Sequence, residues 1–492
     1  MLGKVTTLAE LVYRDSNATF STSVLLVDYG IETRCDYTKE FERNGFTVIR
    51  WVDDLRFRIE WEDTLKRGEK LAVVVPDGEY VPYDLAQLMQ RFDVSFGSLF
   101  SKLDSRTLRE DDSLDLDFLT AAYERDLVRT SDGKATRRYI DGSVKTRDTA
   151  ERVTDELESE LARLASGAAT YRDWFEVANL KARIDVTRAT YGIDRSTNVW
   201  TDGPFRDFVL TRFGQLTMEY DESTPVLVKS AMSFMSGHSD RFAIVMMDGM
   251  SLFDWRVIRE SFKDIPYEES AAFAMIPTVT SLSRQSLLSG KFPKDLASPW
   301  TTGREKGEFV ECAKRLGFAA DRIAYLRGYD AELPYRCECA AFVILDVDKR
   351  VHGQYDGRAG MLRDMELLRD GGRLAVLVRR LTDAGLDVYI CSDHGNTPCV
   401  GRGRVIGTGV ETETKSRRML VVNDLADVSD KQEKYELVQC PGGFLPQGLR
   451  YYVCPSGVSF DNPGMDVMSH GGMSIDEVVV PFITVRAGEC NG

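Results

Sequence analysis

The residues best suited to chemistry lie in a short stretch from Cys391 to Asn396. An apolar run from Leu386 to Cys391 leads into Asp393 and His394, and a glycine follows at once. A buried strand that ends in adjacent Asp and His places two metal-ligand side chains at the carboxyl edge of a sheet, where α/β proteins place their sites. A single Asp-His pair is common on protein surfaces, so this stretch alone indicates only a candidate site.

The other histidines favour a metal site, because the chain contains only four in all. His352 follows Asp348 by four residues, just after the apolar run 341–345. His470 lies in a glycine-rich turn ahead of the apolar run 478–480. Histidines scattered at random would not gather in this way beside Asp and Gly at strand ends.

A threonine at the start of a predicted helix supplies a candidate nucleophile. The segment IPTVTSLSRQSLLSG follows an apolar run that ends in Asp248. Pro277 favours an extended entry, and Thr280 and Ser281 begin the helix. The Thr280 hydroxyl would lie beside unpaired backbone N–H groups, which bind anions. Taken alone, an ordinary helix cap is the simpler interpretation of this threonine.

Taken together, these residues form a set suited to two divalent metal ions. Carboxylate and imidazole are both good ligands for such ions, and two divalent ions carry more charge than three carboxylates, so the pocket would admit a phosphate anion. Two metals about 3.5–4 Å apart can hold both the attacking and the leaving oxygen of an in-line displacement. A threonine beside one of them would be activated as a nucleophile. The set is Asp248, Thr280, Asp348, His352, Asp393, His394 and His470.

The elements that must position this set alternate between strands and helices from about residue 238 onward. Such alternation predicts a largely parallel sheet between helical layers. The predicted strands are 241–247, 322–326, 341–345, 386–391, 418–422 and 478–485, and the predicted helices are 281–289, 308–316 and 373–384.

The first part of the chain predicts a smaller α/β module over residues 1–110. Short β-branched runs at 24–28, 46–50 and 71–75, with a helix at 38–44 closed by a glycine, suggest a βαβ unit. The acidic strand ends Asp28 and Asp77 leave a receiver domain open. A structural Rossmann-like module is favoured, because the supporting lysine and threonine of a phosphoacceptor site are not evident.

Residues 111–237 are predicted to be a helical segment. Apolar residues between 150 and 164 recur at spacings of three and four, which marks one face of an amphipathic helix. No chemistry is assigned to this segment. The chain is therefore predicted to have three parts, with the catalytic domain at 238–492.

Composition narrows the classes of function. The net charge of −15 argues against a broad nonspecific coat on duplex DNA, but not against a phosphate substrate. No apolar run approaches the ~20 residues of a membrane-spanning helix, and the N-terminus does not resemble a signal peptide. The nine cysteines are odd in number and scattered, which favours reduced thiols and a cytoplasmic protein without membrane contact.

The order of the motifs, D…PTxT…DxxxH…DH…H, resembles the alkaline phosphatase superfamily and especially its nucleotide pyrophosphatase/phosphodiesterase branch. The flanking segments VMMDGMS, SDHGN and MSHGGMSIDEVVVPF are similar to a PglZ domain within that superfamily. The resemblance covers about residues 238–488 and implies an α/β/α sandwich. No C-x-P-x-R motif of a sulfatase is present.

The resemblance also implies roles for the set. One metal would be held by Asp248, Thr280, Asp393 and His394, and the other by Asp348, His352 and His470. Thr280 would attack phosphorus and form a phospho-enzyme that water then hydrolyses. The metals would be two zinc ions, with manganese as the alternative. Asp346 competes with Asp348 for its ligand role, but only Asp348 has the DxxxH spacing.

Several basic residues are candidates for substrate contacts. Arg284, in the helix after Thr280, would either reach the phosphate or form a salt bridge. A basic loop after the Asp-His pair could steady a second phosphate, although a solvated loop is the simpler interpretation of each member. Its residues are Arg402, Arg404, Lys415, Arg417 and Arg418.

The resulting hypothesis is a metal-dependent phosphohydrolase, more specifically a phosphodiesterase on nucleotides or oligonucleotides. PglZ domains occur in BREX-type phage-defence systems, so defence proteins are candidate partners. Two alternatives stay open: a non-catalytic scaffold stabilised by its metals, and a phosphomutase. The sequence does not specify the natural substrate or the oligomeric state.

Overall fold

The computed structural model describes residues 5–405 and 416–488. The chain forms two compact units, Met1–Glu156 and Leu157–Gly492, and each is described by itself. The finer division at residues 110 and 237 stays a prediction.

The first unit contains a four-stranded parallel sheet in the order β2-β3-β1-β4. The Asp28 carboxylate at the end of β1 accepts backbone N–H groups of Gly30, Ile31 and Glu32, so it stabilises its own turn. The strands are β1 Ser23–Asp28, β2 Phe46–Arg50, β3 Lys70–Pro76 and β4 Gln90–Val94. The helices are α1 Leu8–Asp15, α2 Thr38–Arg43, α3 Asp54–Arg67, α4 Tyr83–Ala86, α5 Phe96–Leu99, α6 Ser105–Glu110, α7 Leu116–Arg125 and α8 Gly133–Tyr139, and α9 Arg147–Gly167 contains the boundary between the units.

The second unit is built on a six-stranded sheet in the order β6-β16-β9-β5-β8-β7. Strands β9, β5, β8 and β7 are parallel, whereas β16 runs antiparallel to both of its neighbours. The strands of this unit are β5 Phe242–Met247, β6 Glu268–Phe273, β7 Ile323–Arg327, β8 Cys339–Ile344, β9 Asp387–Cys391, β10 Thr397–Gly401, β11 Met419–Asn423, β12 Val438–Gln439, β13 Leu449–Val453, β14 Val458–Ser459, β15 Asp466–Ser469 and β16 Val479–Val485.

The strand predicted at 418–422 exists, but it is not part of this sheet, so the prediction that it helps to complete the main sheet was wrong. It corresponds to β11, which pairs antiparallel with β13 in a separate three-stranded sheet completed by β12. After β11 the chain passes through α19 and β12 before β13, and β13 satisfies the backbone of β11 without a return of the chain to the main sheet. A third small sheet has the order β14-β10-β15.

Helices cover both faces of the main sheet, because alternate residues of its strands enter different cores. Val245 and Ile390 belong to a buried cluster that includes Leu377 of α18, on one face. On the other face, Phe482 contacts Phe234 of α12 edge to face at 5.5 Å between ring centroids. The helices of this unit are α10 Tyr171–Tyr191, α11 Asn198–Arg212, α12 Ala231–His238, α13 Leu252–Ile258, α14 Thr280–Ser289, α15 Glu305–Arg315, α16 Asp346–Gly353, α17 Gly357–Gly371, α18 Arg373–Asp383, α19 Ser429–Tyr435 and α20 Ile475–Val478. Among the described residues, no helix is both long enough and apolar enough to cross a membrane.

Candidate functional site

Three adjacent strands deliver the candidate ligands to one edge of the main sheet. Asp248 follows β5, Asp348 lies in the first turn of α16 after β8, and Asp393 follows β9. The Asp348 backbone N–H donates to the Asp248 carbonyl at 3.1 Å, which joins two of these loops. The carboxyl ends of neighbouring parallel strands meet at one edge, and here they bring the three carboxylates together.

The first group consists of Asp248, Asp393 and His394, all buried, with one ligand atom of each within 4.8 Å of the others. His394 Nε2 lies 3.7 Å from Asp248 Oδ1 and 3.7 Å from Asp393 Oδ2. The Thr280 hydroxyl, in the first residue of α14, lies 2.9 Å from the same nitrogen. The structure thus brings together the four residues expected around the first ion.

The second group consists of Asp348, His352 and His470. His352 Nε2 lies 3.4 Å from Asp348 Oδ2, and His470 Nε2 lies 3.5 Å from Asp348 Oδ1. Asp348 and His352 are one turn apart on α16 and therefore face the same side of the helix. Asp346 belongs to neither group, so the geometry favours Asp348 over its competitor.

Both buried histidines are oriented by backbone carbonyls. His394 Nδ1 donates to the Gly395 carbonyl at 3.0 Å, and His470 Nδ1 donates to the Thr278 carbonyl at 3.0 Å. A carbonyl only accepts, so Nδ1 carries the proton in each ring and Nε2 keeps its lone pair. Both Nε2 atoms are directed at the carboxylates, which is how metal-ligating imidazoles are usually held.

The hydrogen bonding of the three carboxylates indicates whether metal ions fit this site. Asp248 Oδ1, Asp348 Oδ1 and Asp393 Oδ2 are buried and accept no hydrogen bond. A buried carboxylate oxygen without a partner is costly, and native proteins rarely leave several together. Divalent cations would satisfy all three oxygens and the two imidazole lone pairs, so the residues present fit two ions.

The pKa values of the site reflect the crowding of like charges. Burial raises the pKa of Asp393 to about 6, and burial together with the Asp393 charge raises the pKa of Asp248. Burial lowers the pKa of His470 to about 3. Asp348 differs: burial alone would raise its pKa, but the hydrogen bond from His352 and the charge of His470 lower it. The pocket is thus short of positive charge, which bound cations would supply.

Two glycines are required by close approaches at the site. Gly249 has φ +75° and donates its N–H to Asp393 Oδ1 at 3.2 Å; a Cβ there would lie 3.3 Å from the Asp348 Cβ. A Cβ on Gly395 would lie 2.0 Å from the Asp476 carbonyl oxygen. A side chain at either position would displace a ligand loop.

Sequence reasoning missed the buried polar residues that hold these loops. Asn396 donates to the Gly249 carbonyl at 2.9 Å and to Asp254, which joins the loops after β5 and β9. Glu477 accepts from the Thr278 hydroxyl at 3.2 Å and from the Gly472 N–H at 2.8 Å. The position of Asn396 directly after Ser-Asp-His-Gly was the available signal. Glu477 directly precedes the apolar run 478–480, and its signal was the Ser-x-x-Glu spacing of a capping box with Ser474.

The predicted substrate arginines divide into buried and exposed residues. Arg418 is fully buried and donates to Glu477 and to the carbonyls of Val458 and Pro455, so it stabilises the fold and does not face a substrate. This is a correction: the charge of a basic residue in the sequence did not reveal a buried carboxylate partner. Arg284 is also buried, against Asp248.

The remaining basic residues that the structure describes are accessible or partly accessible. Arg402 pairs with Glu436 at 3.2 Å, and Arg404 is exposed. Arg417 is partly exposed, 3.5 Å from Asp461, and its charge opposes the rise in the pKa of His352 that the Asp348 hydrogen bond causes. Lys415 lies outside the described residues.

Comparison with known proteins agrees with the motif order. Residues 229–485 match the family model of the BREX system PglZ alkaline phosphatase-like domain. No curated protein matches the sequence.

The solved structures to which the chain shows a similarity include two pyrophosphatase/phosphodiesterases and a phosphonate hydrolase. Murine ectonucleotide pyrophosphatase/phosphodiesterase 5 has 13% identity and a TM-score of 0.34, over 50% of this chain and 88% of that one. The human protein of the same name has 12% identity and a TM-score of 0.34, over 50% and 89%. Phosphonoacetate hydrolase from Sinorhizobium meliloti 1021 in complex with phosphonoformate has 12% identity and a TM-score of 0.32, over 50% and 90%.

Proposed function

Because this chain belongs to the family of BREX system PglZ alkaline phosphatase-like domains, we propose that it is a two-metal phosphodiesterase with Thr280 as its nucleophile. The family resemblance predicted from the motif order is confirmed, and so is an α/β fold of the alkaline phosphatase type in the C-terminal half. The family supports a phosphoester hydrolase; the metals, the nucleophile and the preference for diesters are our proposal.

The observation that carries the proposal is the pair of ligand groups with their orphaned oxygens. Three buried carboxylate oxygens without hydrogen bonds lie beside two imidazoles whose Nδ1 protons are held by backbone carbonyls, and the Nε2 atom of His394 is 2.9 Å from the Thr280 hydroxyl. Such an arrangement is unfavourable for a purely structural site, since each unpaired polar atom destabilises the fold.

The proposed ligands follow from the two groups. Asp248, Asp393 and His394 would hold one ion beside Thr280, and Asp348, His352 and His470 would hold the other. When bound, the two divalent ions, zinc or alternatively manganese, would act as Lewis acids that stabilise negative charge on the attacking oxygen and on the phosphate. His352 is the most exposed ligand, so the second group is the more accessible to solvent.

The residues of the chain account for the covalent steps. Thr280 Oγ1 releases its proton to water and forms a bond to phosphorus, while the bond from phosphorus to the leaving alcohol oxygen breaks and that oxygen takes up a proton from water. Thr280 lies in the first turn of α14, where no side chain caps the helix N–H groups, so a phosphate bound to its hydroxyl would lie beside those groups. Water then hydrolyses the phosphothreonine and regenerates the hydroxyl.

We propose nucleotide or oligonucleotide diesters as the substrate class. Arg417 is the basic-loop residue that we propose to contact a second phosphate, because it is partly exposed and follows Ser416, whose Oγ would lie 2.1 Å from a Cβ on Gly471 beside His470. We also propose that other proteins of a BREX-type defence system are its partners, in keeping with the family description. A cytoplasmic location stays part of this proposal.

Hydrolysis of bis-nitrophenyl phosphate, compared with nitrophenyl phosphate, tests the function. Zinc- or manganese-loaded protein should cleave the diester faster, and a chelator should abolish turnover. Thr280→Ala should lower kcat at least about 10³-fold while both ions stay bound, because the nucleophile is lost and the ligand carboxylates are kept.

The matched control is Thr211→Ala, an exposed helix threonine whose hydroxyl donates only to the Asp207 carbonyl. It should leave turnover unchanged. Full activity in Thr280→Ala would refute the nucleophile. No turnover of either ester by wild-type protein with two bound ions would favour the scaffold alternative.

A further inference from the structure

Arg284 connects the candidate metal site to a second buried carboxylate. Its Nη1 donates to Asp248 Oδ2 at 2.6 Å, and its Nε donates to Glu305 Oε2 at 2.6 Å. The Arg284 side chain is 6% exposed and Glu305 is 1% exposed. Tyr325 donates its hydroxyl to the other Glu305 oxygen. The guanidinium is therefore fixed from two sides inside the protein.

This arrangement distinguishes the two oxygens of Asp248. Oδ2 is occupied by the arginine, whereas Oδ1 has no hydrogen-bond donor and lies 3.7 Å from His394 Nε2. An unrestrained Asp248 carboxylate could rotate about its Cβ–Cγ bond and direct either oxygen, or neither, toward the candidate metal site. We propose that Arg284 is a positioning residue that directs Asp248 Oδ1 toward the first ion, and that Glu305 and Tyr325 hold Arg284 in place.

The nucleophile and the positioning residue share one helix. Arg284 follows Thr280 by four residues, so both project from the same face of α14 one turn apart. One rigid element thereby sets the hydroxyl and, through the guanidinium, the ligand oxygen. Glu305 lies in the first turn of α15, where a carboxylate is favoured by the helix dipole.

Charge balance indicates that orientation is the main contribution of Arg284. Its positive charge would by itself repel a divalent ion, but Glu305 neutralises that charge at hydrogen-bond distance. A direct contact with substrate is disfavoured, since two of its nitrogens already donate to buried carboxylates. Arg284, for which the sequence left a phosphate contact or a salt bridge open, is therefore assigned the salt bridge: it hydrogen-bonds a ligand of the ion and does not contact the phosphate.

The inference rests on the proposed function only in treating Asp248, Asp393 and His394 as an ion site. Zinc binding to the chelator-treated full-length chain, measured by titration calorimetry, tests it without any turnover. Arg284→Met should weaken one of the two zinc sites about 10–100-fold and leave the other within about twofold, as expected when a residue behind a ligand is lost. Arg284→Lys should restore part of that affinity, because it keeps one donor to Oδ2.

Two further variants make the test specific. Arg315→Met removes another arginine that joins α14 and α15, by its bond to the Ser289 carbonyl at 2.7 Å, and should leave both zinc sites unchanged. Glu305→Gln keeps an acceptor for Arg284 and should weaken the same single site by less than Arg284→Met. If Arg284→Met fails to fold, the lysine and glutamine variants decide the question.

Two results would overturn the proposal. Wild-type zinc affinity at both sites in Arg284→Met, with turnover lost, would make Arg284 a substrate contact. Equal weakening of both sites would indicate a general structural role. A wild-type protein that binds two zinc ions but hydrolyses no phosphate ester would refute the proposed reaction and leave this positioning test valid.

Discussion

Two clusters of buried charge in the second unit have opposite states of hydrogen bonding. In the first, which we call the Lys181 cluster, Lys181 Nζ donates to Asp185 Oδ2 at 2.7 Å and to both Asp476 oxygens at 2.9 and 3.0 Å. The second Asp185 oxygen accepts from Thr197 at 2.7 Å. Every carboxylate oxygen of this cluster has a partner.

Among the metal-site carboxylates, Asp248 and Asp393 are as deeply buried and Asp348 is half-buried, and each of the three keeps one buried oxygen without a donor. The two clusters are neighbours in space, because a Cβ on Gly395, the residue after His394, would lie 2.0 Å from the Asp476 carbonyl oxygen. Burial and residue type therefore do not separate them. The difference lies in whether every carboxylate oxygen has a donor: at the metal site Arg284 pairs with only one oxygen of Asp248, and one oxygen of each aspartate has none.

This contrast indicates which cluster serves the fold and which is kept for a ligand. Selection for stability alone would pair or remove the three orphaned oxygens, since each unpaired buried polar atom costs about 1–3 kcal/mol. Functional sites are where proteins accept such costs. The predictions below change one cluster at a time.

The largest effect on stability is expected from Lys181→Met. The cation is lost while Asp185 and Asp476 stay buried, and breaking a buried ion pair in this way destabilises by about 3–5 kcal/mol. Burial lowers the pKa of Lys181, but Asp185 and Asp476 outweigh it and raise that pKa, so the lysine is charged in the fold. Scanning calorimetry of the full chain, with exposed Lys263→Met as the control, measures the change.

The same variant tests the contrast between the clusters. Zinc stoichiometry at a temperature where the variant is folded should stay at the wild-type value. If Lys181→Met lowers the free energy of unfolding by less than about 1 kcal/mol, the lysine does not stabilise the Lys181 cluster. The contrast between a self-paired cluster and a metal-site cluster would then be wrong.

In metal-free protein, Asp393→Asn should stabilise the fold, whereas Lys181→Met destabilises it. Burial raises the pKa of Asp393 to about 6 in the fold, above its ordinary value of 3.8. The folded state therefore keeps a proton that the unfolded chain loses, and metal-free wild type should lose about 2–3 kcal/mol of stability as the pH rises from about 4 to about 6. The variant should lack that loss and be the more stable protein at pH 7.

Metal loading should reverse the result for Asp393→Asn. A bound ion requires the ionised carboxylate, so metal-loaded wild type should gain stability as the pH rises and the variant should bind only one ion tightly. Urea unfolding of both proteins from pH 4 to 7, with zinc or with a chelator, measures this. A metal-free wild type whose stability rises over the same range as steeply as that of the variant would contradict it.

The difference between the metal site and the Lys181 cluster also explains why the sequence predicted the first and not the second. Asp393 and His394 follow a run of apolar residues, and β9 lies within one residue of its predicted bounds. Ligands at strand ends are local features, so residue type and spacing are enough to find them. The family match extends that local information over residues 229–485.

The Lys181 cluster had no comparable signal. Lys181 and Asp476 are 295 positions apart, and nothing near either residue indicates the other. Strand β4 was missed for a similar reason: Gln90 and Arg91 are exposed on this edge strand, so no apolar run marks it. Features that depend on a distant partner or on an exposed edge lie beyond pattern reasoning.

The smallest effect is expected from Thr397→Val, which removes one donor from Asp476 and keeps the side-chain shape. The Thr397 hydroxyl donates to Asp476 Oδ2 at 3.2 Å, and that oxygen also lies 3.0 Å from Lys181 Nζ and from Arg358 Nη2. Because the charged partners stay, the loss should be about 0.5–1.5 kcal/mol with zinc affinity unchanged. Thermal unfolding beside Thr211→Val measures it. A zinc affinity that falls more than about tenfold, with stability intact, would mean that the Lys181 cluster positions the neighbouring Asp393–His394 loop. Asp476 would then belong to the functional site as well as to the structural cluster.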